Sequence, residues 1–468
     1  MHEPVNLDRR SFLQRAAAGA AATWWWHGAS DRAPVPHRTP RAARVLYLHM
    51  VGAPSQLDLF DHKPALRRWH GQDLPDSVRQ GQRITTMTSD QARLVIQATN
   101  RVFAQRGRCG AWMSDLLPYL AQCADELAIV RSMQTDAINH EPALNLVQTG
   151  HELPGRPSFG AWLAWALGAA TRELPAFVVL HSSWSGPKQD QALYSRLWGA
   201  GFLPAEHQGV LLRSEGDPVL FLRDPDGVSR QARARQLATM AELHTVAQQR
   251  FGDASSTARQ RQAELAFRMQ AAVPELVDLS AEPEAVKARY GPDVHTRGTF
   301  ANNILLARRL LERGVRCVQI YHRGWDQHKN LEHDLPLQCR DIDQPIAALL
   351  GDLRQRGLLD DTLVVWTSEF GRTVYAQGVA GDAGYGRDHH PRCFVTWLAG
   401  AGVRAGVQHG ETDELGYNVV RNAVHVHDLN ATLLWLLGFD HERLTFRHEG
   451  RDHRLTDVHG KVVPALLA

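Results

Sequence analysis

The chain predicts an α/β fold, a mainly parallel sheet with helices on both faces and an inserted helical segment. Two observations predict it. Apolar runs at 44–50, 127–132, 176–180, 315–321, 362–366 and 393–398 are near-continuous rather than alternating, as in strands buried on both faces, and helical patterns separate most of them. Carboxylates and imidazoles gather just beyond two of these runs, at Trp325-Asp326-Gln327-His328 and Ser368-Glu369-Phe370-Gly371-Arg372-Thr373. Open parallel sheets hold their ligands at such strand ends.

The elements follow in order. A Pro/Arg-rich linker over 31–43 leads to the first strand, 44–50, which ends in a loop able to carry Asp58 back over the sheet. A helical pattern over 116–123 precedes the strand 127–132, and Asn139-His140-Glu141-Pro142 opens a helix that closes at Gly150. After the strand 176–180, residues 214–285 are polar and Gln/Arg/Ala-rich, the pattern of an inserted helical pair. A helix over 300–313 leads into 315–321, and a helix over 343–356 is capped by Gly357 before 362–366. The strand 393–398 and a helix over 429–437 complete the set. The division is thus 1–43, targeting segment and linker, and 44–468, one α/β domain.

With 44% hydrophobic and 22% charged residues and a net charge of +2, the chain has an ordinary globular composition and no global field for nucleic acid. Asp8-Arg9-Arg10-Ser11-Phe12-Leu13 fits the twin-arginine export pattern, and a short apolar run follows it. The reading implies a periplasmic or otherwise exported protein, the twin-arginine translocase as a partner, and no stable membrane span in the mature chain. The five cysteines show no zinc-ribbon spacing, and a disulfide scaffold is not indicated.

The chemistry-bearing residues are concentrated in the C-terminal half. Asp326 and His328, two apart in an extended stretch, point to the same side and can reach one ion. His333 and Asp334 are weaker candidates. Glu369 is a strand-end carboxylate suited to a metal, and Arg372 can hold an anionic oxygen. In Gly386-Arg387-Asp388-His389-His390-Pro391, adjacent imidazoles seldom face one ion, so one of His389 and His390 is expected as a ligand. A divalent metal (Zn, Mn, Mg or Ca) is the implied cofactor.

Together these stretches resemble the alkaline phosphatase/sulfatase superfamily. More closely, nearly the whole mature chain resembles the exported, sulfatase-like domain-of-unknown-function family 1501. The resemblance runs through Gly52-Ala53-Pro54-Ser55-Gln56-Leu57-Asp58, Asn139-His140-Glu141-Pro142-Ala143 and the three stretches above, to Leu455-Thr456-Asp457-Val458-His459-Gly460. It implies one metal on Asp326, His328 and His389 or His390, and another drawing on Asp58 and Glu369. Where catalytic relatives carry Asp-His, this chain has Glu369-Phe370. At the nucleophile position it has Asn139-His140, with no hydroxyl, thiol or formylglycine signature. The implied activity is hydrolysis of a phosphate or sulfate ester, small-molecule or glycan, without formylglycine. His140 and Asn139 then stand in the catalytic position, with Arg372 stabilising negative charge. The alternative is a non-catalytic, exported metal- or glycan-binding protein on the same fold.

Overall fold

The computed structural model describes residues 34–187, 191–220, 222–251 and 254–468. The twin-arginine stretch lies outside them. The main sheet has nine strands: β1 (Arg44–Met50), β2 (Ala128–Gln134), β3 (Phe177–Ser182), β4 (Val210–Leu212), β5 (Cys317–His322), β6 (Thr362–Thr367), β7 (Phe394–Ala399), β8 (Gln408–His409) and β9 (Val424–His425). They lie in the order β8-β2-β7-β6-β1-β5-β3-β4, with β9 also paired to β2. Only β7 runs against the rest, antiparallel to both β2 and β6. The fold is therefore the mixed, mostly parallel sheet with flanking helices that the apolar runs imply.

Successive side chains of β1 enter different cores, as the two-residue period of a strand requires. Leu46, Leu48 and Met50 join a cluster with Ile304, Leu305, Ile346 and Leu349. Val45 and Tyr47 join another with Leu144, Phe159, Leu163 and Leu433. Both faces are thereby covered, which is why β1, β5 and β6 read as uninterrupted apolar runs. The helices concerned are α1 (His140–Thr149), α2 (Phe159–Leu167), α5 (Phe300–Glu312), α6 (Leu331–Gln355) and α7 (Val426–Leu436). The helices α3 (Arg230–Phe251) and α4 (Ala254–Val277) pack on each other within the polar stretch 214–285.

Two elements differ from the sequence reading. α6 begins at Leu331 rather than near 343, carrying Pro336 and Pro345 inside it; two prolines in a helical pattern read as breaks, but burial of Leu335, Cys339 and Ile342 holds the helix through them. Residues 120–126, within and beyond the expected helix 116–123, form a 3-10 turn. Among the described residues no helix is long and apolar enough to cross a membrane. All five cysteines are free thiols.

Candidate metal centre

The carboxyl ends of β1, β2, β5 and β6 converge on one spot. β1 ends in a sharp turn at Gly52 (φ 104°), where a Cβ would lie 2.6 Å from the backbone nitrogen of Asp326. Only glycine permits this approach. β2 leads to α1, whose first residue is His140. β5 leads to Asp326 and His328, and β6 leads to Glu369 and then to a hairpin of Gly371–Gln377 and Gly386–His390. In that hairpin His389 pairs with Arg372, and a register shift between Arg387 and His389 re-aims the side chains on either side of it.

His140, Asp326, His328 and His389 offer ligand atoms that all lie within 4.8 Å of one another. Around Asp326 Oδ1 stand Arg372 Nη2 at 2.6 Å, His328 Nε2 at 2.8 Å, His140 Nε2 at 3.2 Å and His389 Nε2 at 3.4 Å. The far nitrogen of each imidazole is anchored. His140 Nδ1 lies 2.7 Å from Glu369 Oε1, His328 Nδ1 2.5 Å from Gln377 Oε1, and His389 Nδ1 2.8 Å from the Ile138 carbonyl. All three partners are acceptors, which assigns the proton of each neutral ring to Nδ1 and leaves three Nε2 lone pairs facing inward. His328 Nε2 and His389 Nε2 are 3.0 Å apart, and His140 Nε2 is buried without a hydrogen-bond partner. Three imidazole nitrogens and a carboxylate, with their far sides tied down, fit a divalent cation.

The electrostatics agree with this geometry. Burial alone would raise the Asp326 carboxyl, but Arg372 and the three imidazoles hold it far below the usual range. Burial would likewise raise Glu369; hydrogen bonds from His140 and His49 bring it down to about 2. For His140 burial is overcome by Asp326 and Glu369, and its pKa is raised. A cation entering the group displaces that proton.

The other expected site residues lie around this group rather than in it. Glu369 accepts from the Gly52 N–H at 2.7 Å and faces His140 Nδ1 and, at 3.2 Å, His49 Nε2. Asp58 accepts from Arg387 Nε at 2.9 Å and from Ser55 Oγ at 2.5 Å. His390 stacks on Tyr417 and contacts its carbonyl through Nε2 at 2.7 Å. Arg372 is buried, with its guanidinium committed to Asp326 and to the carbonyls of Gly52, Ala53 and Arg387. It fixes Asp326 and presents no free edge for an anion. Asn139 is the exposed N-cap of α1, without a capping side-chain bond. Exposed His333 pairs with the buried Asp334. Phe370 packs against the rings of His140 and His389, with centroids 4.8 and 4.6 Å away.

Sequence reasoning passed over a buried chain behind the site. Gln319 Nε2 donates to Gln148 Oε1 at 2.5 Å, and Gln148 Nε2 lies 3.1 Å from His49 Nδ1. With Nδ1 accepting, His49 donates through Nε2 to Glu369, which in turn accepts from His140. The available signal was a histidine inside an apolar strand, one residue from its end.

No curated protein matches this chain. Among solved structures it is similar to a sulfatase from Pseudoalteromonas sp., at 14% identity and a TM-score of 0.35, over 92% of this chain and 72% of that one. A phosphonate monoester hydrolase from Silicibacter pomeroyi gives 12% and 0.31, over 69% and 68%. An alkaline phosphatase from the Antarctic bacterium TAB5 gives 11% and 0.29, over 81% and 96%. The family model described as "Protein of unknown function (DUF1501)" matches residues 42–467, and the chain belongs to that family.

Proposed function

We propose that this protein is an exported, divalent-metal-dependent hydrolase of phosphate or sulfate esters that works without formylglycine. The observation that carries the reading is the convergence of three Nε2 lone pairs on the Asp326 carboxylate. Imidazole-rich donors with one carboxylate suit Zn or Mn better than Mg or Ca, which prefer all-oxygen sites. His140, His328, His389 and Asp326 would hold the ion. A bound divalent cation supplies the charge that polarises an ester oxygen and makes water acidic enough to attack. Arg372 holds Asp326 in place, and Glu369 orients His140. Export rests on Arg9-Arg10 and is tested by replacing both with lysine, which should leave the protein in the cytoplasm.

The start of α1 carries no hydroxyl or thiol, and the four donors already come from protein. Those two facts favour the second reading, a metal- or glycan-binding protein without turnover. Metal-reconstituted protein assayed on 4-nitrophenyl phosphate, bis(4-nitrophenyl) phosphate and 4-nitrocatechol sulfate separates them. Metal-dependent turnover that disappears in His389→Ala is the expected result; silence on all three esters in protein with its full metal content supports the second reading.

A further inference from the structure

Beside the ligand group lies a cleft of about 80 Å³, built on the first turns of α1 and on the segment after residue 190. It is joined to the metal centre at two points. Gln191 Nε2 donates to Asp326 Oδ2 at 3.1 Å, and Glu141 directly follows His140 in the chain. Leu144 and Leu197, both buried, form an apolar floor. Around them stand Glu141, Asn145, Gln191 and Arg196. Arg196 pairs with Glu141 and lies over the Tyr194 ring at 4.1 Å, and its Nε is buried with no hydrogen-bond partner. Tyr194 is 47% exposed, so the cleft opens to solvent at its rim.

We propose that this cleft receives the organic part of the ester, and that this part is a neutral, hydroxyl-rich group such as a sugar ring or polyol. The assignment deepens the hydrolase reading and rests on it for the bond that is broken. The chemistry of the walls selects the class. The Arg196–Glu141 pair makes the cleft neutral overall, so an added acidic substituent meets the Glu141 carboxylate as well as the guanidinium. A hydroxyl, which donates and accepts at once, can use the partly exposed Arg196 guanidinium together with the Glu141 carboxylate. The leucine floor takes the C–H face of a ring. The volume holds one face of a single ring, with the remainder outside the rim. Arg196 and Tyr194 are thus the residues that set specificity.

The test is binding of neutral methyl pyranosides of gluco, galacto and manno configuration to the full, metal-loaded chain, followed by saturation-transfer NMR. Methyl glucuronide serves as the acidic counterpart, and turnover of 4-nitrophenyl phosphate is measured in parallel. At least one neutral pyranoside should bind better than the glucuronide. Arg196→Ala should weaken it by roughly tenfold or more, the loss expected for a hydrogen bond to a charged group. Tyr194→Ala, at an exposed rim position, should weaken it as well. Failure of all neutral pyranosides to bind, equal affinity in wild type and both variants, or preference for the glucuronide would overturn the proposal. Pyranoside binding that responds to Arg196→Ala without turnover of any ester would support the cleft and overturn the hydrolase reading alone.

Discussion

Two buried charge clusters share the hairpin of Gly371–Gln377 and Gly386–His390 at the carboxyl end of the sheet, and they are finished in opposite ways. Around Asp58 every charge meets its opposite. Arg387 donates to that carboxylate and to the carbonyls of Thr373, Val374 and Gln97, and neighbouring His390 lies against Tyr417. Around Asp326 the far sides of three imidazoles are satisfied while their near sides face one another. Burying polar groups costs stability unless they are paired. The Asp58 cluster is closed without a ligand, whereas the Asp326 cluster sets three imidazole nitrogens around a carboxylate in an arrangement that a cation would complete. The same residue types therefore make a structural ion pair on one side and a candidate binding site on the other.

The largest expected effect breaks the closed side. Asp58→Ala leaves the Arg387 guanidinium buried and unpaired, and should cost about 3–5 kcal/mol in denaturant unfolding. The folded fraction should keep its metal content, because Asp58 is outside the ligand group. Metal lost in step with Asp58 would erase the distinction between the clusters.

A half-buried imidazole without a carboxylate partner calibrates the comparison. His181 packs edge-on against Trp198 and Tyr321, and burial, with the Arg323 charge, lowers its pKa to about 4. Its folded value lies below the ordinary 6.5, so its contribution is fully present above pH 6.5. It is lost as pH falls through 4, when the unfolded chain has already taken up the proton. The loss is up to about 3 kcal/mol. Unfolding curves between pH 7.5 and 4 should therefore be flatter for His181→Gln than for wild type.

A smaller effect sharpens the open side. Glu369→Gln keeps the shape behind His140 but removes the charge that orients it, and should weaken metal binding about 10–100-fold in chelator competition. Gln148→Glu, two links further back, replaces the donor to His49 with an acceptor and should weaken binding by about tenfold or less. Equal effects from the two would show that the chain behind His140 acts only as packing.

Much of the fold was legible because β1, β5 and β6 are buried on both faces and read as plain apolar runs. The short edge strands β4, β8 and β9 gave no such signal, since two or three residues carry no periodicity. The reversed direction of β7 was not legible either, as direction leaves no mark on side-chain pattern. At the site, Asp326, His328 and His389 stood out as donors beside strand ends or in a glycine-rich loop, and the structure gathers all three. Asp58, Glu369 and His390 were expected from residue type, from placement in a loop or at a strand end, and from the family resemblance. Residue type does not reveal a partner: Asp58 is answered by Arg387, 329 positions away, and Glu369 by His49, 320 positions away. His140, expected in the catalytic position, turns its Nε2 into the ligand group. That outcome depends on Glu369 holding the opposite nitrogen.

The proposed ion rests on His140, Asp326, His328 and His389 together. Elemental analysis of purified protein, in wild type, His389→Ala and His390→Ala, tests it most directly. One divalent ion per chain in wild type and His390→Ala, with none in His389→Ala, is the predicted result. A metal-free wild type, or metal content indifferent to His389→Ala, would contradict it.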